Sequence, residues 1–227
     1  MNSSILTIPI EDVFKDKHGC PLCRMHKILE DRFIDYITGA AMMEPDIRIQ
    51  TNKYGFCHEH FNKMLKTKNK LSLALMLETH LQEVNKTVFS ANTLIDKNAK
   101  IKKAKEVLSS CFVCSNITAA ENNLYEAIYK MYSDKNFYSL YNEQEYICLN
   151  HFAVICEGAV KKMSKKDYAK FLKDTTALCE NYLATLKEDV HHFTTMFDYR
   201  NSGPDADWGN SKDSIERAIS FLTAKEI

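Results

Sequence analysis

Apolar residues recur every three or four positions along most of the chain, the period of a helix with one buried face. From Leu22 to about Thr38 the recurring positions are Met25, Ile28, Leu29, Phe33, Tyr36 and Ile37, and Gly39 supplies a stop. Pro45 opens a short helix or turn through Ile49. His60-Phe61 starts the next helix, with Met64 and Leu65 on the side of Phe61. A long helix is predicted from about Asn69 to an end between Ser90 and Leu108, with Leu77, Leu81, Val84 and Val88 as its buried seam.

The second half repeats the pattern with more aromatic residues. Ile117, Ala120, Leu124, Ile128 and Met131 mark one helix, flanked by Tyr125, Tyr129 and Tyr132. Phe137, Tyr138, Leu140 and Tyr141 suit a short connecting helix. These rings are expected to fill a core rather than stack on a ligand. After His151-Phe152 a helix runs to about Met163, and Ser164 with Asp167 has the form of an N-cap and an acidic third residue. Tyr168, Phe171, Leu172, Leu178, Tyr182, Leu183, Leu186, Val190, Phe193 and Phe197 then sustain a seam long enough for a central spine. The stretch 201–207 breaks it, and a last amphipathic helix from Ser211 carries Ile215, Ala218, Ile219 and Leu222. Residues 1–19 form a lead-in with an extended piece at Leu6–Ile10.

Superposed on this pattern is a repeat. Cys20-Pro21-Leu22-Cys23 precedes Cys57-His58-Glu59-His60, and Cys111-Phe112-Val113-Cys114 precedes Cys148-Leu149-Asn150-His151; each of the four Cys and His positions of the first copy recurs 91 residues on. Glu30 answers Glu121, Phe33 answers Leu124, and Phe61 answers Phe152. The expected fold is therefore all-α, an internally duplicated helical bundle with two zinc-knuckle-type metal sites. Its parts are a lead-in at 1–19, repeats at 20–108 and 109–200, and a C-terminal loop and helix at 201–227. The repeats are expected to pack as one compact unit about a pseudo-twofold axis.

Three thiols and one imidazole form the ligand set of a closed tetrahedral site. Read in chain order, the quartets are Cys20, Cys23, Cys57 and His60, then Cys111, Cys114, Cys148 and His151. Each C-x2-C box falls at a predicted helix start, where unpaired N–H groups favour the thiolate. Zinc at both sites is the expectation; iron or an iron-sulfur cluster is the alternative. His58 has Leu149 as its counterpart and is not expected to be a ligand. Neither are His26, His80, His191 or His192, none of which has a partner at a metal spacing. Cys156 and Cys179 lie on apolar faces and are read as small buried hydrophobes.

Composition narrows the function. Lys+Arg and Asp+Glu both number 30 in 227 residues, which disfavours a nucleic-acid partner. Lys97, Lys100, Lys102, Lys103 and Lys105 form a local basic stretch, read as a solvated helix. The longest apolar run, Leu73–Leu77, is too short to cross a bilayer, the N-terminus lacks a signal peptide's pattern, and paired thiol spacings suit a reducing compartment; a cytoplasmic protein is expected. No phosphate loop, nucleophile elbow or helical H-E-x-x-H occurs. Closed metal sites point to a non-catalytic interaction or regulatory module binding another protein or a small ligand. A thiol- or metal-based redox sensor, or an iron-sulfur electron carrier, is the first alternative. An enzyme using Asp198, Arg200 and Trp208 in the C-terminal loop is the second; the other reading of that loop is a clasp, with Trp208 buried against the bundle and Arg200 paired to an aspartate.

Cys20-Pro21-Leu22-Cys23-Arg24, Glu30 seven residues after Cys23, Gly55-Phe56-Cys57-x2-His60-Phe61, the second copy, and Phe197-Asp198-Tyr199-Arg200-Asn201 through Trp208-Gly209 to Arg217-Ala218-Ile219 together resemble a bacterial family known only as a domain of unknown function. The resemblance runs from about Ile10 to Leu222. It implies a cytosolic helical protein and brings no activity. The second C-x2-H box, preceded by Tyr146-Ile147, departs from the Gly-Phe of the first without touching a ligand.

Overall fold

The computed structural model describes residues 9–90, 98–198, 200, 201, 203 and 206–225. Eleven α-helices and no strand occur among them. In chain order they are α1 (Ile10–Lys15), α2 (Pro21–Thr38), α3 (Pro45–Tyr54), α4 (His58–Lys66), α5 (Lys70–Val84), α6 (Ala99–Leu108), α7 (Phe112–Met131), α8 (Lys135–Asn142), α9 (Leu149–Lys162), α10 (Lys165–Thr195) and α11 (Ser214–Thr223). A 3-10 turn at Ala40–Met43 precedes α3, and a π turn at Asn85–Phe89 follows α5. The protein is thus all-α, as the periodicity predicts.

The described residues form two compact units, one from Lys27–Glu121 and the other from 9–26 with 122–225. The divisions fall within α2 and α7, so these units cut the chain differently from the sequence repeats.

In the first unit α3 packs on α5. Leu29, Phe33, Ile37, Ala41, Met64 and Met76 are buried, and Phe56 sets its ring edge-on to Phe61 and Phe112. The α5 seam differs in part from expectation. Leu73, Met76 and His80 face inward with Ser72; of the expected seam Val88 is buried and Leu77 and Val84 are half-buried, while Leu81 is 63% exposed. The helix is apolar on more than one side, so apolar period alone does not choose the face. Polar bonds settle it: His80 Nδ1 lies 2.8 Å from Asn52 O, and the Arg48 guanidinium bonds Leu75 O and Thr79. The predicted continuation of this helix beyond Ser90 falls partly on 91–97, outside the described residues.

In the second unit α10 packs against α8, α9 and α11. Ser164 caps α10 as expected, accepting from Asp167 N–H. Aromatic side chains fill the core: Phe14, Phe137, Tyr141 and Phe171 are fully buried, with ring centroids 5.1 Å apart for Phe14–Phe137 and 5.3 Å for Tyr141–Phe171. Tyr141 bonds Thr175 Oγ1 at 2.8 Å. Tyr146, Tyr182 and Phe221 form a second cluster that seats α11. The lead-in is less extended than the sequence suggests. Leu6–Ile8 lie outside the described residues, but Ile10 already begins α1, whose buried Phe14 docks against α8.

Candidate metal centres

All four boxes sit at helix starts. Cys57 and Cys148 are the extended residues just before α4 and α9, and in each case the histidine follows one turn later on the same side. Cys57 O accepts from Phe61 N–H at 2.9 Å, and Cys148 O accepts from Phe152 N–H at 2.8 Å, which closes those turns. Cys20 and Cys111 precede the first residues of α2 and α7 and place Cys23 and Cys114 in the opening turn. Cys114 N–H points at Cys111 Sγ, 3.5 Å away.

The eight residues assemble into two clusters, but not in chain order. One holds Cys57, His60, Cys111 and Cys114, the other Cys20, Cys23, Cys148 and His151. The expected quartets are therefore corrected: each C-x2-C box joins the C-x2-H box of the other repeat. In the first cluster His60 Nδ1 lies 3.1, 3.3 and 3.4 Å from the sulfurs of Cys57, Cys111 and Cys114, and Cys57 and Cys114 are 3.9 Å apart. In the second, His151 Nδ1 lies 3.1, 3.4 and 3.7 Å from Cys148, Cys23 and Cys20, with Cys23 and Cys148 3.6 Å apart. A disulfide would need sulfurs about 2.05 Å apart, so all eight cysteines are free.

These separations fit a tetrahedron around one ion. With Zn–S near 2.3 Å, neighbouring sulfurs in such a site lie about 3.8 Å apart. All four ligand atoms of each cluster fall within 4.8 Å of one another. The clusters' charges also favour a cation. Burial, then Cys111, pushes the Cys114 thiol up, and hydrogen bonding to Cys148 pushes Cys23 up. Burial works against the charged forms of His60 and His151, yet the sulfurs around them, joined at His60 by Glu30, raise both to about 10. Three crowded sulfurs hold negative charge together only when positive charge joins them.

Different backbone contacts bring the boxes together. In the first cluster Phe112 N–H, next to Cys111, donates to Gly55 O at 2.9 Å, two residues before Cys57. Gly55 has φ of 57° and a Cβ there would meet the His80 ring, so the position requires glycine. The equivalent bond cannot form in the second cluster, because Pro21 stands where Phe112 does and has no N–H. Other contacts do that work. Gly19 N–H donates to Glu145 Oε2 at 2.6 Å, Glu145 N–H to Lys17 O at 3.2 Å, and the Lys17 ammonium meets Glu143. Arg24 fixes the segment before Cys20 by donating to Val13 O, Asp16 O, His18 O and Gly19 O, and to Gln144 Oε1.

Glu30 completes the first cluster. Its Oε1 lies 3.1 Å from His60 Nε2, and its other oxygen meets the Lys63 ammonium. The His60 contact is off-line for an ideal hydrogen bond. The His60 ring, with the Lys63 ammonium beside it, holds this buried carboxyl down at about 2 against the opposing effect of burial. The sequence pairs Glu30 with Glu121 as repeat partners but gives neither a role. The clusters also differ in exposure: Cys20, Cys148 and His151 are buried, whereas Cys114 is exposed.

The other candidates stand apart. His58 is exposed and bonds Asn62. His80 bonds Asn52 O, and His192 Nε2 lies 2.9 Å from Asp207 O. Cys156 and Cys179 lie outside both clusters, and burial pushes both thiols up to about 11. In the C-terminal loop Trp208 packs edge-on against Phe197 and Phe193, and Arg200 pairs with Asp198 at 2.5 Å. The Arg200 pairing is that of the clasp reading, but Trp208 is only half-buried and Phe197 is 71% exposed, so the ring is not buried as that reading expects.

Fold and clusters define an all-α protein with two Cys3His groups that could hold metal ions. The chain belongs to a family of unknown function (DUF6062), whose model matches residues 1–227. No curated protein and no solved structure matches it.

Proposed function

We propose that each cluster binds one zinc ion and that the chain is a cytoplasmic, metal-stabilised interaction or regulatory module without catalytic activity. The observation that carries this reading is the pair of clusters, each offering three sulfurs and a histidine Nδ1 at tetrahedral spacing. Four protein ligands leave no open position for water or substrate. The ions' contribution is to join helix starts from separate parts of the chain, with binding free energy that adds to folding. Free thiols only 3.6–3.9 Å apart are consistent with a reducing compartment. No described helix is long and apolar enough to cross a membrane. The partner is another protein or a small ligand.

One observation favours a second reading, thiol-based sensing: Cys114 is exposed within its cluster. An oxidant reaching that sulfur would withdraw a ligand and release the ion. Elemental analysis with a visible absorption spectrum tests the metal. Colourless protein with two zinc equivalents supports zinc at both sites; charge-transfer bands with iron would overturn it.

A further inference from the structure

A cavity of about 600 Å³ opens in the second unit, among the end of α7, the start of α8, the end of α9 and the first turns of α10. We propose that it binds a compact polyanion carrying two or more phosphoryl groups. The proposal is independent of the metal clusters, none of whose residues line the cavity.

The aromatic wall has no hydroxyl to spare. Tyr129 donates to Ile155 O at 2.9 Å, and Tyr132 and Tyr138 both donate to Asp174 Oδ2, at 2.6 and 2.9 Å. Tyr132 and Tyr138 also meet ring to ring at 5.3 Å, so the wall is rigid before any ligand arrives. Five lysines surround it against two carboxylates. Both carboxylates are already engaged: Glu126 holds Lys162 at 2.7 Å, and Asp167 accepts from Ser164 Oγ at 2.6 Å. Lys170 is fixed over the Tyr138 ring, 3.5 Å from its centroid. Lys130, Lys135 and Lys166 form no ion pair with any described residue.

A chain with equal numbers of acidic and basic residues therefore concentrates a formal excess of three positive charges in one concavity. Concave walls focus such a field, and lysines brought together without counter-charge repel until an anion joins them. The chemistry selects the ligand. Ammonium groups are point charges with rotatable donors, suited to phosphoryl oxygens spread over a volume rather than to one planar carboxylate. The volume lies in the range of small-ligand sites, about 300–1,000 Å³. Inorganic polyphosphate and nucleoside polyphosphates share this chemistry.

The test is calorimetric titration of the full metal-loaded chain with inorganic tripolyphosphate, and in a second arm with a nucleoside triphosphate. Saturable one-to-one binding that weakens with salt is expected. Lys135→Glu with Lys166→Glu should weaken it roughly tenfold or more, while Lys102→Glu with Lys105→Glu, outside the cavity, should leave it unchanged. Lys135→Gln with Lys166→Gln, checked for helix content by circular dichroism, gives the same direction with less perturbation. Heat from chelation of bound metal is common to all variants and cancels in the comparison. Equal affinity in the two arms assigns recognition to the phosphate chain; tighter nucleotide binding adds the organic part. Absent saturation, cavity variants that bind like wild type, or equal loss in the outside variant would each overturn the proposal.

Discussion

Glu30 Oε1 sits 3.1 Å from Nε2 of His60 while Nδ1 of the same ring faces three sulfurs. A carboxylate behind a ligating imidazole fixes ring orientation and tautomer and raises the basicity of the ligating nitrogen. Glu30→Gln keeps the shape and removes the charge. Zinc affinity of the Cys57/His60/Cys111/Cys114 cluster should fall about 10–100-fold, with the other cluster unaffected. Competition with a chromophoric chelator would resolve the two sites.

The same carboxyl sets a pH window. Its value in the folded protein is about 2, below the ordinary 4.5. A depressed carboxyl contributes stability that is complete above 4.5 and is lost as pH falls toward 2. The difference in thermal midpoint between wild type and Glu30→Gln should thus be full at neutral pH and close across that window. The comparison is made on the metal-free proteins, because the variant also holds zinc less tightly.

In the metal-loaded protein every ligand sulfur is held as a thiolate, so exposure, and not the raised thiol of metal-free Cys114, orders reactivity. Substoichiometric alkylation, read by peptide mass spectrometry, should label Cys114 before the buried Cys20 and Cys148. Metal should leave the first cluster first. Equal labelling of the two clusters would remove the basis for a sensing role.

Gly158 lies within α9, where an exposed Gly→Ala change would ordinarily stabilise by about 1 kcal/mol. Here a Cβ would press into the Tyr129 hydroxyl and stand 3.3 Å from its Cζ. That hydroxyl is held by Ile155 O. Gly158→Ala should therefore destabilise, by about 1–3 kcal/mol as overpacking does. Adding Tyr129→Phe should recover part of the loss, measured from urea midpoints.

Much of this was legible in the residues. Helical period located α2, α7, α9 and α10, because each carries an apolar face, and along α5 it misplaced Leu81, because that helix is apolar on more than one side and Arg48 and Asn52 help choose the face. The eight ligand candidates stood out by type and spacing, and all eight enter the two clusters. Their partition did not stand out. The two repeats carry the same ligand set, so spacing within a repeat is equally satisfied whether a box meets its own partner or the other copy's. What decides is long-range: Gly55 O receiving Phe112 N–H in one cluster, and the Glu145, Lys17 and Arg24 contacts in the other. Pro21, which has no N–H to give, and Tyr146 standing where the first copy has Gly55 were the local hints that the two copies are held differently. The lysine cavity was equally invisible, since its walls come from two helix junctions, 126–138 and 162–170, that only the tertiary fold brings together.

The exchanged pairing is tested most directly by metal stoichiometry in paired ligand variants. Cys20→Ser with Cys148→Ser removes two ligands of one cluster, so one zinc equivalent should remain; Cys20→Ser with Cys57→Ser strikes both clusters, so both equivalents should be lost. The opposite result, one equivalent kept by the Cys20/Cys57 pair and none by the Cys20/Cys148 pair, would contradict the account.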